Sequence, residues 1–189
     1  MRRQNIPALQ KLARLLILLL AFSSLAGSSL RSYGLTGDRL RASQQGAVPR
    51  YEDFPVAKIF KGKPARPVLS SPEARTFRTR LKEGAAKGPN FAGHYTIVGW
   101  GCGSSCQQLA VVDAQTGRVY FSKTLPNAVY AMLPDTGEEP GLKYRLNSKL
   151  LVLVGWPGEG DQPDDLAGIF YYKWENNEFK LVHAVKKKK

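Results

Sequence analysis

The sequence predicts an α+β domain: an antiparallel β-sheet of hairpins and meanders with one N-terminal helix packed on it and a short disulfide-closed loop. Three observations lead there. From Phe91 onward, apolar and polar residues alternate with a period close to two. Turn signals punctuate these runs at Gln115-Thr116-Gly117, Asn147-Ser148 and Asn176-Asn177. A single helix signature, Ser71-Pro72-Glu73, stands before them.

Each element follows from its residues. "FPVAKIF" is a first strand, with Val56, Ile59 and Phe60 as its apolar members. "KGKPARPVL" carries two prolines, which suit an edge or an extended segment better than a central strand. Ser71 is an N-cap residue, Pro72 occupies the first helical position, and Glu73 faces the positive end of the helix dipole. The helix is expected to run to about Glu83. Phe77 and Leu81 lie four apart and share its apolar face, while Arg78, Arg80 and Lys82 lie mainly elsewhere. Gly84 and Gly88-Pro89 are read as its stop.

"HYTIVGW" and "QQLAVVDA" are the next strands, and Gln115-Thr116-Gly117 turns the chain into "RVYFS". Residues 125–141 form a Pro/Gly-rich excursion. "LKYRL" and "KLLVLVGW" follow, then "LAGIFYYKW", which Asn176-Asn177 turns into "FKLVHAV". Val98-Gly99-Trp100 is echoed by Val154-Gly155-Trp156, a two-unit repetition too short for a propeller.

The chain opens with the pattern of a secretory signal peptide. Arg2, Arg3, Lys11 and Arg14 form a basic region, residues 15–22 a short aliphatic run, and Ser24-Leu25-Ala26 a small-residue cleavage site. The apolar run is short for a bilayer span. The expected organisation is a signal peptide at 1–26, a flexible lead-in at 27–50, one α+β domain at 51–185 and a basic tail at 186–189. Export would place the protein in the periplasm or outside the cell, where two cysteines oxidise to each other.

The formal net charge is +13. It is uneven: residues 27–90 hold 13 Lys/Arg against 5 Asp/Glu, and residues 91–185 hold 7 against 10. The basic part concentrates in residues 58–87, a face that attracts anionic envelope polymers, lipid headgroups or nucleic acid, or is simply solvated. No Walker loop, dinucleotide fingerprint or nucleic-acid module is present, so no cofactor is implied. Membrane contact would come only through an uncleaved signal segment or the basic tail.

Cys102 and Cys106 are the only cysteines. Three readings compete for them. Thioredoxin-like redox chemistry wants Cys-x-x-Cys at a helix start, whereas here three residues intervene between strands. Zinc would need His94 and His183, the only histidines, and nothing in the sequence brings them together. The reading preferred is a disulfide closing a tight loop between two strands. Gly101 and Gly103 give its backbone freedom, and Ser104 and Ser105 form its tip. A stiff, small-residue tip loses little entropy on binding, which suits a recognition surface made of Trp100, Gly101, Gly103, Ser104 and Ser105 with His94 nearby.

Other constellations are weaker. His94 could act as a base for Ser104 or Ser105, but no nucleophile elbow or orienting third group accompanies it. Glu159, Asp161, Asp164 and Asp165 lack EF-hand spacing and read as a solvated turn. Trp100, Trp156, Tyr171, Tyr172 and Trp174 read as core or cross-strand pairs rather than as an aromatic binding face. Neither a catalytic residue nor a metal ligand is assigned.

The block from Phe91 to Tyr95, Trp100-Gly-Cys102-Gly-x-x-Cys106, "VVDAQTGRVYF" and "YYKWENNEFKLV" resembles a family of uncharacterised exported bacterial proteins over residues 51–185. More distantly, Tyr95, Val98, Cys102, Cys106 and Leu109-Ala110-Val111 resemble the periplasmic inhibitors of vertebrate lysozyme. That second resemblance implies a loop that enters a lysozyme cleft. The loop here is one residue shorter and lacks the charged and imidazole side chains of that family.

These readings converge on an exported, non-enzymatic binding protein of the bacterial envelope. It would recognise a protein or an anionic envelope component through the Cys102–Cys106 loop. The alternatives are an inhibitor of a lysozyme-type peptidoglycan hydrolase and an envelope hydrolase using His94.

Overall fold

The structure is a computed structural model that describes residues 47–158 and 166–186. The expected signal peptide, the lead-in as far as residue 46, the acidic turn at Glu159, Asp161, Asp164 and Asp165, and tail residues Lys187, Lys188 and Lys189 lie outside the described residues.

Among the described residues, eight strands form one antiparallel sheet: β1 (Tyr95–Gly103), β2 (Cys106–Asp113), β3 (Val119–Tyr120), β4 (Asn127–Tyr130), β5 (Gly141–Tyr144), β6 (Leu150–Pro157), β7 (Gly168–Glu175) and β8 (Glu178–Lys186). Their order is β1-β2-β4-β6-β7-β8, with β3 alongside β2 and β5 alongside β6. This is a meander, as hairpin signals at short intervals predict. Asn176 and Asn177 make the β7–β8 turn with φ of 55° and 62°, the left-handed pair that a tight hairpin needs.

Alternation along β1 and β2 sends side chains to two apolar clusters on opposite faces. Ile97, Leu109 and Val111 join the larger core. Val98, Trp100, Ala110 and Val112 join a smaller one with Ala74, Leu81 and Ala85 of the helical segment. Leu81 is fully buried there, worth about 2 kcal/mol by its apolar area.

The helical segment comprises α1 (Pro72–Thr76) and α2 (Arg78–Ala86), separated only by Phe77. Ser71 caps α1: its Oγ accepts from the Ala74 N–H at 3.0 Å. Gly84 does not end the helix. It lies inside α2, where a Cβ would stand 2.5 Å from Val98 Cγ1. The glycine marks the close approach of helix to sheet. The stop belongs to Gly88, whose φ is +88°, and Pro89.

Two further expectations change. Among the described residues, 54–60 form no strand and make one isolated bridge, Pro55 to Ser148. Pro55 has no N–H to give, and Ala57, Lys58 and Ile59 are all exposed, so no strand face is sustained. The Pro/Gly-rich excursion holds β4, a central strand between β2 and β6. Asn127, Ala128 and Val129 are buried in succession, and the strand's four residues are too short an apolar run to stand out. "RVYFS" shortens to the two residues of β3. The Val-Gly-Trp echo does not mark equivalent units either: β1 lies at the sheet's end and β6 at its centre.

Candidate functional site: the disulfide hairpin and the free edge of β1

Tyr95 to Gly101 pair with Asp113 to Gln107 in regular register, and Gly103 pairs with Cys106. Cys102 is the extra residue between, a bulge at the tip of the hairpin. Its sulfur is joined to that of Cys106, with Cα atoms 5.2 Å apart. The sulfurs therefore serve neither as free thiols nor as zinc ligands in this fold. The bridge ties the bulge back onto the neighbouring strand and fixes the turn beyond it.

Ser104 and Ser105 are the two turn residues, and Ser105 has φ of 54°. Residues 101–105 are all exposed. A Cβ added at Gly101 or Gly103 would meet nothing within 4 Å. The tip is anchored on one side, where the Tyr130 N–H donates to the Ser105 carbonyl at 2.8 Å. It carries no ionisable group.

The other predicted site residues separate. Trp100 is only 8% exposed. Its indole N–H donates to Gln108 Oε1 at 2.8 Å, and its ring lies 4.5 Å from that of Phe77. It supports the hairpin from beneath and offers nothing at the tip. His94 precedes the opposite end of β1, about 30 Å of strand away from Gly103. Its ring packs against Tyr95 at 4.1 Å, and its carbonyl accepts from the Ala114 N–H. It cannot act on Ser104 or Ser105, which removes the hydrolase reading that joined them. His183 sits on β8, with its ring 5.6 Å from that of Tyr171.

Sequence reasoning missed the flank of the hairpin. Among the described residues, β1 pairs with β2 on one side and with no strand on the other. Near its start that outer side is closed by the chain itself. Tyr95 exchanges backbone hydrogen bonds with Phe91, and Asn90 does so with Ile97 through its side-chain amide: Nδ2 donates to the Ile97 carbonyl, and Oδ1 accepts from the Ile97 N–H at 2.8 Å. The backbone groups of residues 95 and 97 thus point outward, and so do those of Gly99 and Gly101. There the edge is open, and both glycines are exposed.

A groove of 350 Å³ runs along this edge. Arg80, Glu83 and Lys87 of α2 form one wall, and Gln107 and Tyr144 line the other. Among the described residues, none of these three charged side chains is in an ion pair. Gln107 Oε1 accepts from the Tyr130 hydroxyl, which holds the amide across Gly99. A Cβ at Gly99 would push that amide aside and break its hold on the Tyr130 hydroxyl. Burial raises the pKa of Tyr130 and of Tyr144, so both stay protonated hydroxyls at neutral pH. A polar groove beside open backbone donors and acceptors is suited to taking up an extended chain.

Among the described residues no helix is long and apolar enough to cross a membrane, and the disulfide fits an oxidising compartment. No protein-family model, no curated protein and no solved structure matches the chain.

Proposed function

We propose that this is an exported, non-enzymatic binding protein of the bacterial envelope that takes an extended segment of a partner protein along the free edge of β1, beside the disulfide-closed tip. The carrying observation is the open edge at Gly99 and Gly101, where Gly99 lines a polar groove and Gly101 leads into a stiffened hairpin. Strand addition supplies affinity through main-chain hydrogen bonds, and groove walls supply selectivity. A pre-stiffened edge loses less entropy on binding than a mobile one. Export rests on the basic-then-aliphatic N-terminus together with the bridge. The tip itself is uncharged, which favours a protein partner over an anionic polymer at this place.

The test is capture from envelope extract with the mature protein and three variants. Gly101→Pro removes an outward N–H where an edge strand tolerates proline. Ser104→Trp fills the tip, and His94→Ala touches neither. Partners should survive His94→Ala and be lost with Gly101→Pro and Ser104→Trp. Retention by Gly101→Pro at the wild-type level would refute strand addition. If the partner is a lysozyme-type hydrolase, the mature protein slows that enzyme on cell walls near one-to-one dose.

A further inference from the structure

Of the cations in residues 58–87, only Arg80 and Lys87 line the groove along β1. Lys58, Lys61, Lys63, Arg66, Arg75, Arg78, Arg80, Lys82 and Lys87 stand against only Glu73 and Glu83. All five ion pairs among the described residues lie elsewhere. Positive charge here is left unneutralised by the protein.

Three of these cations converge. A groove of 460 Å³ is lined by Lys63, Pro64, Ala65, Arg66 and Pro67 on one wall and by Lys82 and Ala86 of α2 on the other. No acid lines it. Lys82 and Ala86 lie four apart, on the opposite side of α2 from Arg80, Gly84 and Lys87. The groove is therefore separate from the one along β1.

Both walls are rigid. Pro64 and Pro67 fix their own backbone angles. The Ala65 N–H donates to the Ala114 carbonyl, and the Val68 N–H to the Gly117 carbonyl, each at 2.8 Å. Gly117, at φ of +76°, lets the β2–β3 turn press onto the Arg66 carbonyl, where any Cβ would collide. Opposite, α2 is fastened by Leu81 and Ala85 in the smaller core. Lys63, Arg66 and Lys82 are exposed on these fixed supports.

We infer that this groove binds a linear phosphate-bearing polymer, which lies between the Lys63–Arg66 wall and Lys82. Arginine's planar fork suits phosphate oxygens, and the lysines add compact point charges on either side. The remaining cations of residues 58–87, none of them in an ion pair among the described residues, add long-range attraction for a chain of repeating anions. Concavity, with cations on both walls, favours a strand that enters it over a flat bilayer that would meet only one rim. The site goes beyond the strand-addition reading and does not depend on it.

The probe is long-chain inorganic polyphosphate, titrated into the mature protein at low and moderate salt. Lys63→Gln/Arg66→Gln/Lys82→Gln is compared with Lys123→Gln/Lys149→Gln/Lys186→Gln, which lowers net charge equally away from the groove. The groove variant should lose affinity by at least about tenfold while the control stays within about twofold of wild type. Its slope of log affinity against log salt should be shallower by about 2, at roughly 0.7 per lost phosphate contact. Gly101→Pro should bind the polymer normally, which separates failure here from failure of the hairpin reading. Equal losses in both triple variants, or none in the groove variant, would overturn the inference. So would tighter binding to anionic phospholipid vesicles through the same three residues, since the source would then be a membrane.

Discussion

Gly84 offers the sharpest test of how α2 meets the sheet. By helix propensity alone, Gly84→Ala should stabilise α2 by about 1 kcal/mol. The structure opposes this. The new methyl would lie 2.5 Å from Val98 Cγ1 and 2.6 Å from Cγ2, and Val98 is itself only 5% exposed. A β-branched side chain in a strand has little rotamer freedom with which to yield. Overpacking of this kind costs about 1–3 kcal/mol, so the net effect should be a loss of about 1 kcal/mol. Val98→Ala alone should cost about 2 kcal/mol by removing two buried methyl groups. In that background the sign of the first substitution should reverse. The methyl introduced by Gly84→Ala then fills part of the vacated space, is itself buried and restores helix propensity, for a gain of about 1–2 kcal/mol. The coupling across the cycle should thus reach about 2–3 kcal/mol, large for a single pair. Urea unfolding of the four proteins, with unchanged m-values, measures it. If Gly84→Ala stabilises equally in the wild-type and Val98→Ala backgrounds, the helix does not rest on that valine and the account of the smaller core fails.

Two further perturbations address the tip and the β7–β8 turn. Replacing both Cys102 and Cys106 by serine opens a ring whose cysteines are four apart in sequence, and should lower stability by about 2 kcal/mol on the chain-entropy relation. Thermal unfolding should then fall by on the order of 8 °C, and a drop below about 2 °C would mean the bridge adds no constraint to the unfolded chain. Glu178 is partly buried, which raises its carboxyl pKa. That effect is outweighed by hydrogen bonds from the Ser122 hydroxyl and from the Lys123 and Phe179 N–H groups, so the folded value lies below 4.5. The unfolded chain therefore binds more protons as pH falls through about 4.5, and this part of the stability is present above that pH and lost below it. Glu178→Gln should flatten the loss of unfolding midpoint between about pH 5 and about pH 3 relative to wild type, and parallel curves would sink the assignment. The comparison isolates Glu178 from Glu175, whose carboxyl the Lys173 and Lys180 ammonium groups hold down to about 2 in both proteins.

The strands with long apolar, β-branched runs were legible, and so was the helix start. "HYTIVGW" and "QQLAVVDA" became β1 and β2, and Ser71 caps α1 through its own hydroxyl. Such signals are local: an apolar, β-branched run, an N-cap oxygen, an Asn pair able to take positive φ. The bridge was legible as well, since two cysteines with three residues between them in a glycine-rich hairpin have only each other as partners. β4 was not legible, because four residues among prolines and glycines are too short an apolar run to stand out, and its partners are distant in the chain.

The sequence by itself determined the hairpins, the helix start and the joined sulfurs, because each depends on residues close together in the chain. Only the tertiary structure decided that Gly84 belongs inside a helix, that Trp100 is core, and that His94 and Ser104 stand at opposite ends of one strand. It also decided that Asn90 closes one half of the β1 edge and leaves Gly99 and Gly101 open, and that Lys63, Arg66 and Lys82 share a groove. Those facts depend on which surfaces fold against which, and steric fit between distant segments leaves no periodic trace in the order of residues.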